Sequence, residues 1–262
     1  MIRAVFLDID GTLISMRTHK PGLRTAEALL AAKEKGIRLF IATGRNVAVP
    51  EEGYVMDDLP DCFDGYVCLT GQYCFTNDGT PVLKAPLAKE DLTAIQALAD
   101  EYEIPYTFDY ENSIRISMVN DRVRRHNTSI DLPIPKIERM DTDREVFALT
   151  LYIDKEAEET LLVPRLKHSM SISWTNGITN ICSKEGGGKR AGILAMLDHF
   201  GIKPEETMGI GDSDNDLSMF ECVGTAVAMG NSSERILAAA DYVTTDCEED
   251  GIYRAFRHYG LI

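Results

Sequence analysis

Residues 4–12 of the chain read AVFLDIDGT, an uninterrupted apolar run followed at once by acidic residues and a glycine. Such a run is typical of a buried central strand, and ligands bind beyond the carboxyl ends of strands in open α/β sheets. Side chains two residues apart on an extended chain point the same way, so Asp8 and Asp10 are predicted to project together. Two adjacent carboxylates repel each other, and a hard cation such as Mg²⁺ is the usual remedy. A solvated Asp-Gly turn is the alternative interpretation.

A second apolar run also ends in polar groups. Residues 41–45 read IATGR, so a hydroxyl at Thr43 and a glycine at Gly44 follow a predicted strand. A threonine hydroxyl and free backbone N–H groups are suitable donors to a phosphate oxygen. An ordinary strand-to-loop turn explains the same letters, so this motif alone leaves both interpretations open.

Residues 186–190 read GGGKR and open a predicted helix. A P-loop is excluded because Ser183 stands where its first glycine belongs and Arg190 stands where Ser or Thr belongs. Lys189 at a helix N-terminus nevertheless places a positive charge beside free N–H groups, which suits a phosphate. A solvated lysine after a flexible glycine loop is the alternative.

A third strand-to-loop junction is acidic. Residues 208–216 read MGIGDSDND, which places Asp212, Asp214, Asn215 and Asp216 directly after a short predicted strand. Carboxylates with a donor amide suit a metal site, whereas an acidic surface loop is the alternative. The four motifs occur in order at strand ends or at a helix start, and together they indicate an acidic metal site beside a phosphate cradle.

The two ends of the chain alternate between strands and helices, which predicts an α/β fold with a parallel sheet covered on both faces. Helices are predicted over 25–35, ending at Gly36, and over 189–200, ending at Gly201. The predicted strands are residues 4–7, 37–42, 66–69, 208–210, 225–229 and 242–243.

The middle of the chain has a different pattern. A helix around residues 92–98, a long strand over 145–153 and a helix over 156–162 accompany two hairpins. Hairpins imply antiparallel pairing, so residues 82–184 are predicted to form an α+β domain inserted into a core of residues 1–81 and 185–262. The predicted hairpins turn at Glu111-Asn112 and at Asn176-Gly177.

Length and charge exclude some classes of function. The 262 residues are 44% hydrophobic, enough to bury a substantial core in one large domain or two unequal ones. Acidic residues number 42 against 27 basic ones, a net charge of −15. This excess opposes sequence-independent binding to nucleic acid and docking on an anionic membrane. A small anionic substrate stays compatible, because a metal ion and local donors reverse the charge inside a cleft.

The cysteine pattern and the apolar runs predict a cytoplasmic protein. The six cysteines show neither a C-x-x-C pattern nor a metal-ligand spacing, which is typical of buried thiols in a reducing compartment. No run approaches the roughly 20 apolar residues of a membrane helix. The apolar run before Asp8 is too short for a signal peptide.

With these motifs, the sequence resembles the haloacid dehalogenase superfamily, specifically its Cof-type sugar-phosphatase branch. The resemblance covers nearly the whole chain and extends through residues 224–231 and 238–243 to Glu249-Asp250-Gly251. It implies a Rossmann-like, doubly wound parallel-sheet core with an inserted α/β cap. It also implies a Mg²⁺-dependent phosphatase of small phosphorylated metabolites, similar to bacterial hexose-phosphate phosphatases.

The resemblance also assigns roles to individual residues. Asp8 would be the nucleophile that forms an aspartyl-phosphate, and Asp10 the acid and base. Mg²⁺ would be held by the Asp8 carboxylate, the Asp10 backbone carbonyl and Asp212, while Asp216 would orient Lys189 or a metal-bound water. The groups expected to hold the phosphoryl oxygens are Thr43, Lys189, Asn215 and the amides of Ile9 and Gly44.

Three alternatives remain at this point. A sugar phosphomutase on the same scaffold would return the phosphoryl group to a sugar. A signalling receiver also places acids, a hydroxyl and a lysine around a phosphorylated aspartate, but needs neither Asp10 nor a large inserted domain. A non-catalytic phosphate-binding protein is the third. Neither the oligomeric state nor the particular substrate is encoded in a motif.

Overall fold

The computed structural model describes residues 1–49, 56–129, 132–175, 177–184 and 188–262. The chain divides into two compact units. The first comprises Met1–Val47, the described part of Tyr54–Leu83, and Gly188–Ile262. The second comprises the described parts of Ala48–Gly53 and Lys84–Gly187.

The described residues form two sheets, and their strands in chain order are β1 Ala4–Leu7, β2 Arg38–Ala42, β3 Gly65–Cys68, β4 Tyr73–Thr76, β5 Pro81–Lys84, β6 Tyr106–Tyr110, β7 Ser113–Ile116, β8 Lys136–Ile137, β9 Ala148–Leu151, β10 Ser169–Thr175, β11 Ile178–Ser183, β12 Thr207–Gly211, β13 Thr225–Ala228 and β14 Tyr242–Val243. The α-helices of four or more residues are α1 Thr25–Glu34, α2 Lys89–Tyr102, α3 Asp121–Ser129, α4 Lys189–Phe200, α5 Leu217–Phe220, α6 Glu234–Ala239 and α7 Gly251–His258. A further helical stretch runs from Lys155–Ala157 into a π-helical turn at Glu158–Leu162.

The first unit is built on an eight-stranded sheet of order β14-β13-β12-β1-β2-β3-β4-β5. Every neighbouring pair from β14 to β3 is parallel, and β4 then pairs antiparallel with β3. Side chains alternate between two apolar clusters, with Val5 and Leu7 on one face of the sheet and Ala4 and Phe6 on the other. Helices α1 and α7 contribute to the first cluster and α4 to the second. The predicted doubly wound α/β class is therefore confirmed.

The second unit contains a six-stranded sheet of order β10-β11-β9-β6-β7-β8. All of its pairs are antiparallel except the short edge pair of β7 with β8. Tyr106, Phe108 and Leu149 lie in one apolar cluster with Leu92 and Ile95 of α2. This unit thus has a hydrophobic core of its own.

Several features of the sheets differ from the sequence prediction, and among them are strands β5 and β8, which were not predicted. The strand predicted over 145–153 is limited to β9, and ahead of it the Val146 carbonyl accepts a hydrogen bond from Leu87 N. Strand β4 was not predicted, and it extends the core sheet through an antiparallel hairpin. Asn176 of the second predicted hairpin turn lies outside the described residues.

The remaining global predictions concern membranes and thiols. Within the described ranges, no helix has both the length and the apolar character needed to cross a bilayer. All six cysteines are buried and in the thiol form.

Candidate active site

The candidate site lies at the carboxyl edge of the core sheet. Strand β1 pairs in parallel with β12 on one side and with β2 on the other, with Leu7 opposite both Ile210 and Ile41. The loops that follow these strands therefore leave the same edge. They carry Asp8, Asp212 and Thr43, which is why three separate stretches of sequence meet.

A buried lysine joins two of the predicted acids. Lys189 Nζ lies 2.6 Å from Asp8 Oδ1 and 2.5 Å from Asp216 Oδ1. The side chains of Lys189 and Asp216 are fully buried and that of Asp8 is 5% exposed. Burial opposes the charge on Lys189, but the two carboxylates outweigh it and raise the pKa of the ammonium. Lys189 is the first residue of α4, whose N-terminus places the charge at the sheet edge.

Asp216 also braces the loop after β12. Its Oδ2 accepts hydrogen bonds from the backbone N–H groups of Asp212 at 3.0 Å and Ser213 at 3.1 Å. Both oxygens of Asp216 are therefore engaged by Lys189 and by the loop. A Cβ at Gly211 would lie 2.3 Å from Asp216 Cγ, so only glycine permits this packing. Asp216 thus contacts both Lys189 and the loop after β12, and the orienting role that the resemblance assigns to it stays a prediction.

Burial makes the charged forms of the remaining acids costly. Burial raises the pKa of Asp212 to about 7, with the Asp216 charge adding to the effect. Burial likewise holds the pKa of Asp8 well above its ordinary range, although Lys189 opposes the shift. Acids with this behaviour are typical of sites that hold a cation or handle protons.

The donor set fits a divalent cation. Carboxylate oxygens of Asp8, Asp212 and Asp216 lie within 4.8 Å of one another. The three acids outnumber the one lysine, so a divalent ion would offset their excess negative charge when they are ionised. Oxygen donors of this kind suit Mg²⁺. Asp8 and Asp212 are the groups available to bind it, since Asp216 is already engaged.

Gly11 allows the first and third motifs to approach each other. Its φ of +81° is in the left-handed region, and a Cβ there would lie 2.2 Å from Asp212 Oδ2. Thr12 Oγ1 donates to Asp212 Oδ1 at 3.4 Å. The glycine that follows Asp10 is therefore required by the close packing of the two acidic loops.

Asp10 has a different partner from Asp8. Arg45 Nε and Nη2 donate to the two carboxylate oxygens of Asp10 at 2.7 and 2.8 Å, a bidentate pair. The Asp10 side chain is 32% exposed and that of Arg45 is 20% exposed. In the structure β1 ends at Leu7, Asp8 contacts Lys189 and Asp10 contacts Arg45, and the expectation that the two acids project together stays a prediction.

The residues predicted to bind phosphate lie on several of these loops. Thr43 is buried at the end of β2, and its Oγ1 accepts from Arg45 N at 3.1 Å. Ile9 is fully buried, whereas Gly44 is partly exposed. Asn215 lies in a 3₁₀ turn after β12, where its Oδ1 accepts from Ser213 Oγ.

Other residues of the motifs are located away from the cluster or outside the description. Asp214 is exposed and contacts Arg235 and Ser233. Gly186 and Gly187 of the glycine run lie outside the described residues. Gly188 has a φ of +87° and directly precedes α4.

Sequence reasoning missed one polar side chain near the site. Asn231 follows β13, and its Nδ2 donates to the Gly11 carbonyl at 2.8 Å. The resemblance includes this position, but no periodicity or charge indicates where the amide points. Arg45, the last residue of the IATGR motif, forms its ion pair with Asp10.

Comparison with known proteins identifies the family. A family model for haloacid dehalogenase-like hydrolases matches residues 5–256, so the chain belongs to this family. The predicted resemblance is thereby confirmed. A solved sugar phosphatase of haloacid dehalogenase subclass IIB is 35% identical, with a TM-score of 0.87 and coverage of 99% of this chain and 100% of that one.

Two further relatives agree. A solved phosphatase of the superfamily from Bacteroides thetaiotaomicron is 29% identical, with a TM-score of 0.89 over 100% of this chain and 96% of that one. A Streptococcus pyogenes protein named "Putative bifunctional phosphatase/peptidyl-prolyl cis-trans isomerase" is 30% identical over all of this chain, which spans 54% of that protein's length. The chain is accordingly a phosphatase, and its substrate is phosphorylated.

Proposed function

We propose that this phosphatase is Mg²⁺-dependent and hydrolyses small phosphorylated sugars, with hexose phosphates as the preferred class, through an aspartyl-phosphate on Asp8. The observation that carries the proposal is the fully buried Lys189, ion-paired with Asp8 and held by Asp216. A lysine in that position opposes the rise that burial causes in the pKa of Asp8, and it supplies positive charge to an arriving phosphoryl group. The similarity to a sugar phosphatase over the whole chain supports the substrate class.

In the first chemical step, an Asp8 oxygen attacks phosphorus while the bond from phosphorus to the sugar oxygen breaks. Asp10, as the carboxylic acid, donates its proton to that leaving oxygen. Asp10 then removes a proton from water, whose oxygen attacks phosphorus and releases phosphate together with the free Asp8 carboxylate. The exposed position of Asp10 supports this role, because it must exchange protons with substrate and water.

The remaining groups hold the phosphoryl oxygens in place during both steps. We assign this role to Lys189, to the Thr43 hydroxyl, to Asn215 and to the amides of Ile9 and Gly44, all of which lie on loops at the carboxyl edge or at the start of α4. Asp8, the Asp10 backbone carbonyl and Asp212 would hold Mg²⁺. When bound, the ion offsets the negative charge that builds up on the phosphoryl oxygens.

The second unit supports a proposal about specificity. It has its own sheet and hydrophobic core, and its longer segment begins at Lys84, close to the predicted boundary at residue 82. We propose that residues 82–184 form the inserted cap domain and that its side chains select the substrate. We also propose a cytoplasmic location, which is supported by six buried thiols; burial raises the pKa of Cys62 and Cys222 to about 11 and keeps these two thiols protonated.

The direct test measures phosphate release from a panel of phosphorylated sugars, nucleotides and three-carbon acids, with Mg²⁺ and with EDTA. The proposal expects metal-dependent release that is concentrated on hexose or pentose phosphates. Release only from nucleotides or three-carbon acids would contradict the substrate class. Release that is unaffected by EDTA would contradict the metal. Activity on a sugar monophosphate only with a bisphosphate activator, yielding an isomer, would favour the phosphomutase.

A further inference from the structure

The loop between β13 and α6, residues 229–233, contacts both acidic loops of the site. Met229 N donates to the Gly211 carbonyl at 3.0 Å, and Ser233 N donates to the Asp212 carbonyl at 3.3 Å. The side chain of Asn231, in the middle of this segment, reaches the other acidic loop through Gly11. A single short segment therefore contacts the loop after β1 and the loop after β12.

Asn231 uses both ends of its amide. Its Nδ2 donates to the Gly11 carbonyl at 2.8 Å, and its Oδ1 accepts from Cys247 N at 3.3 Å. Gly230 N adds a bond to the Thr245 carbonyl at 3.1 Å, and a Cβ at Gly230 would lie 2.7 Å from Asp246 N. These contacts hold the segment against the backbone of residues 245–247, so the backbone that carries the Asn231 side chain is fixed in position.

The position of Gly11 matters because its backbone packs on the Asp212 carboxylate, with room for no side chain between them. The carbonyl of Gly11 directly follows that of Asp10, which is one of the proposed Mg²⁺ ligands. Fixing the Gly11 carbonyl therefore restricts the orientation of the preceding peptide. The bond from Ser233 N restricts the backbone of Asp212 in the same way.

We propose that Asn231 is a positioning residue for the metal site: its amide sets the spacing between the loop that carries Asp8 and Asp10 and the loop that carries Asp212. This inference rests on the proposed Mg²⁺ dependence. Groups that orient metal ligands typically change metal affinity by about 10- to 100-fold when they are removed.

The test measures Mg²⁺ binding without substrate, from the rise in melting temperature as Mg²⁺ is added to EDTA-treated protein. Asn231→Asp replaces the donor with an oxygen that repels the Gly11 carbonyl, and Asn231→Ala removes the amide without adding charge. Asn77→Asp is the matched control, because Asn77 is exposed in the turn after β4 and makes the same charge change.

For both Asn231 variants we expect the half-saturating Mg²⁺ concentration to rise about tenfold. We also expect kcat at saturating Mg²⁺ to fall while KM for the substrate changes little. Asn77→Asp should match the unsubstituted protein. A purely structural role would lower the metal-free melting temperature and leave the half-saturating concentration unchanged, and that result would overturn the inference.

The design separates this inference from the proposed function. If the unsubstituted protein shows no Mg²⁺-dependent rise, the proposed metal dependence fails and the inference fails with it. If the unsubstituted protein responds and the Asn231 variants respond at the same concentration, only the inference fails. Because Asn231 is exposed, both substitutions are expected to fold.

Discussion

Asp8 and Asp10 lie two residues apart in the first motif, but their ion pairs with Lys189 and Arg45 differ in burial and in the number of acids that share the cation. Lys189 is fully buried and shared between two acids, whereas Arg45 binds one partly exposed acid through two parallel hydrogen bonds. A buried pair with fixed partners suits a nucleophile, which must attack from one direction. A partly exposed acid suits proton transfer, because water and substrate can reach it. In the proposed mechanism, this difference in solvent access separates the residue that forms the bond to phosphorus from the residue that transfers protons.

The largest expected effect is on the nucleophile. Asp8→Asn keeps the size of the side chain and a hydrogen-bonding oxygen for Lys189 but removes the attacking carboxylate. We expect kcat to fall by about 10⁵-fold or below detection. Steady-state phosphate release measures the effect, and circular dichroism checks that the variant is folded. Substantial residual activity in a folded variant would show that another group attacks phosphorus.

The second prediction concerns Asp10, the acid of the partly exposed pair with Arg45. Asp10→Asn is expected to lower kcat for a sugar phosphate by about 10³-fold, since the leaving oxygen loses its proton donor. With p-nitrophenyl phosphate, whose leaving group departs without protonation, the loss should be smaller, because only the step with water still needs the base. The comparison of formation rates of the phosphoenzyme for the two substrates, by rapid quench, measures this difference. Equal losses in that first step would contradict the role of Asp10 as the acid.

The third prediction compares how much the buried Lys189 pair and the more exposed Arg45 pair contribute to the free energy of unfolding. Lys189→Met leaves Asp8 and Asp216 buried without their cation, and we expect a loss of about 3–5 kcal/mol in the free energy of unfolding. Arg45→Met removes the cation of the more exposed pair and should cost about 1 kcal/mol or less. Urea unfolding without metal measures both variants. A similar cost for the two would mean that burial does not distinguish the pairs.

The fourth prediction concerns pH. Burial raises the pKa of Asp212 to about 7, so the folded state holds this proton more tightly than the unfolded chain, whose aspartates titrate near about 4. Its contribution to stability is fully present below about pH 4 and is lost as pH rises towards about 7. Mg²⁺ competes with the proton, so its stabilising effect should grow over the same range.

Melting temperatures with Mg²⁺ and with EDTA, at about pH 5.5 and about pH 7.5, measure this dependence. We expect a larger rise with Mg²⁺ at the higher pH. A buffer without divalent cations, in which NaCl replaces the Mg²⁺ salt at the same ionic strength, controls for the general effect of salt. A rise that is independent of pH would contradict the assignment of Asp212 to the metal.

Sequence reasoning predicted the parallel core because buried central strands are continuous apolar runs, as in β1 and β2. It predicted α4 from Lys189 to Phe200 because glycines lie at both ends. It failed for the length of β9, which is shorter than its apolar pattern, and it did not predict the hydrogen bond from Leu87 N to the Val146 carbonyl. Local patterns do not encode such long-range bonds.

The candidate site shows the same limit. The edge of the sheet and the identity of the acids follow from strand ends, because parallel strands bring their carboxyl ends together. The partners of those acids do not follow, since Asp10 contacts Arg45 35 positions further along the chain and Asn231 reaches Gly11 across 220 positions. Side-chain orientation at such separations is set by packing and not by spacing.

The most direct test of the central claim is to trap the phosphoenzyme. Protein mixed with a ³²P-labelled sugar phosphate and Mg²⁺ is quenched in acid, digested and mapped by mass spectrometry. The account predicts label on the peptide that contains Asp8, no label in Asp8→Asn, and greater accumulation in Asp10→Asn, which lacks the base for hydrolysis. Phosphate release with no labelled intermediate at any time, or label on another residue, would contradict it.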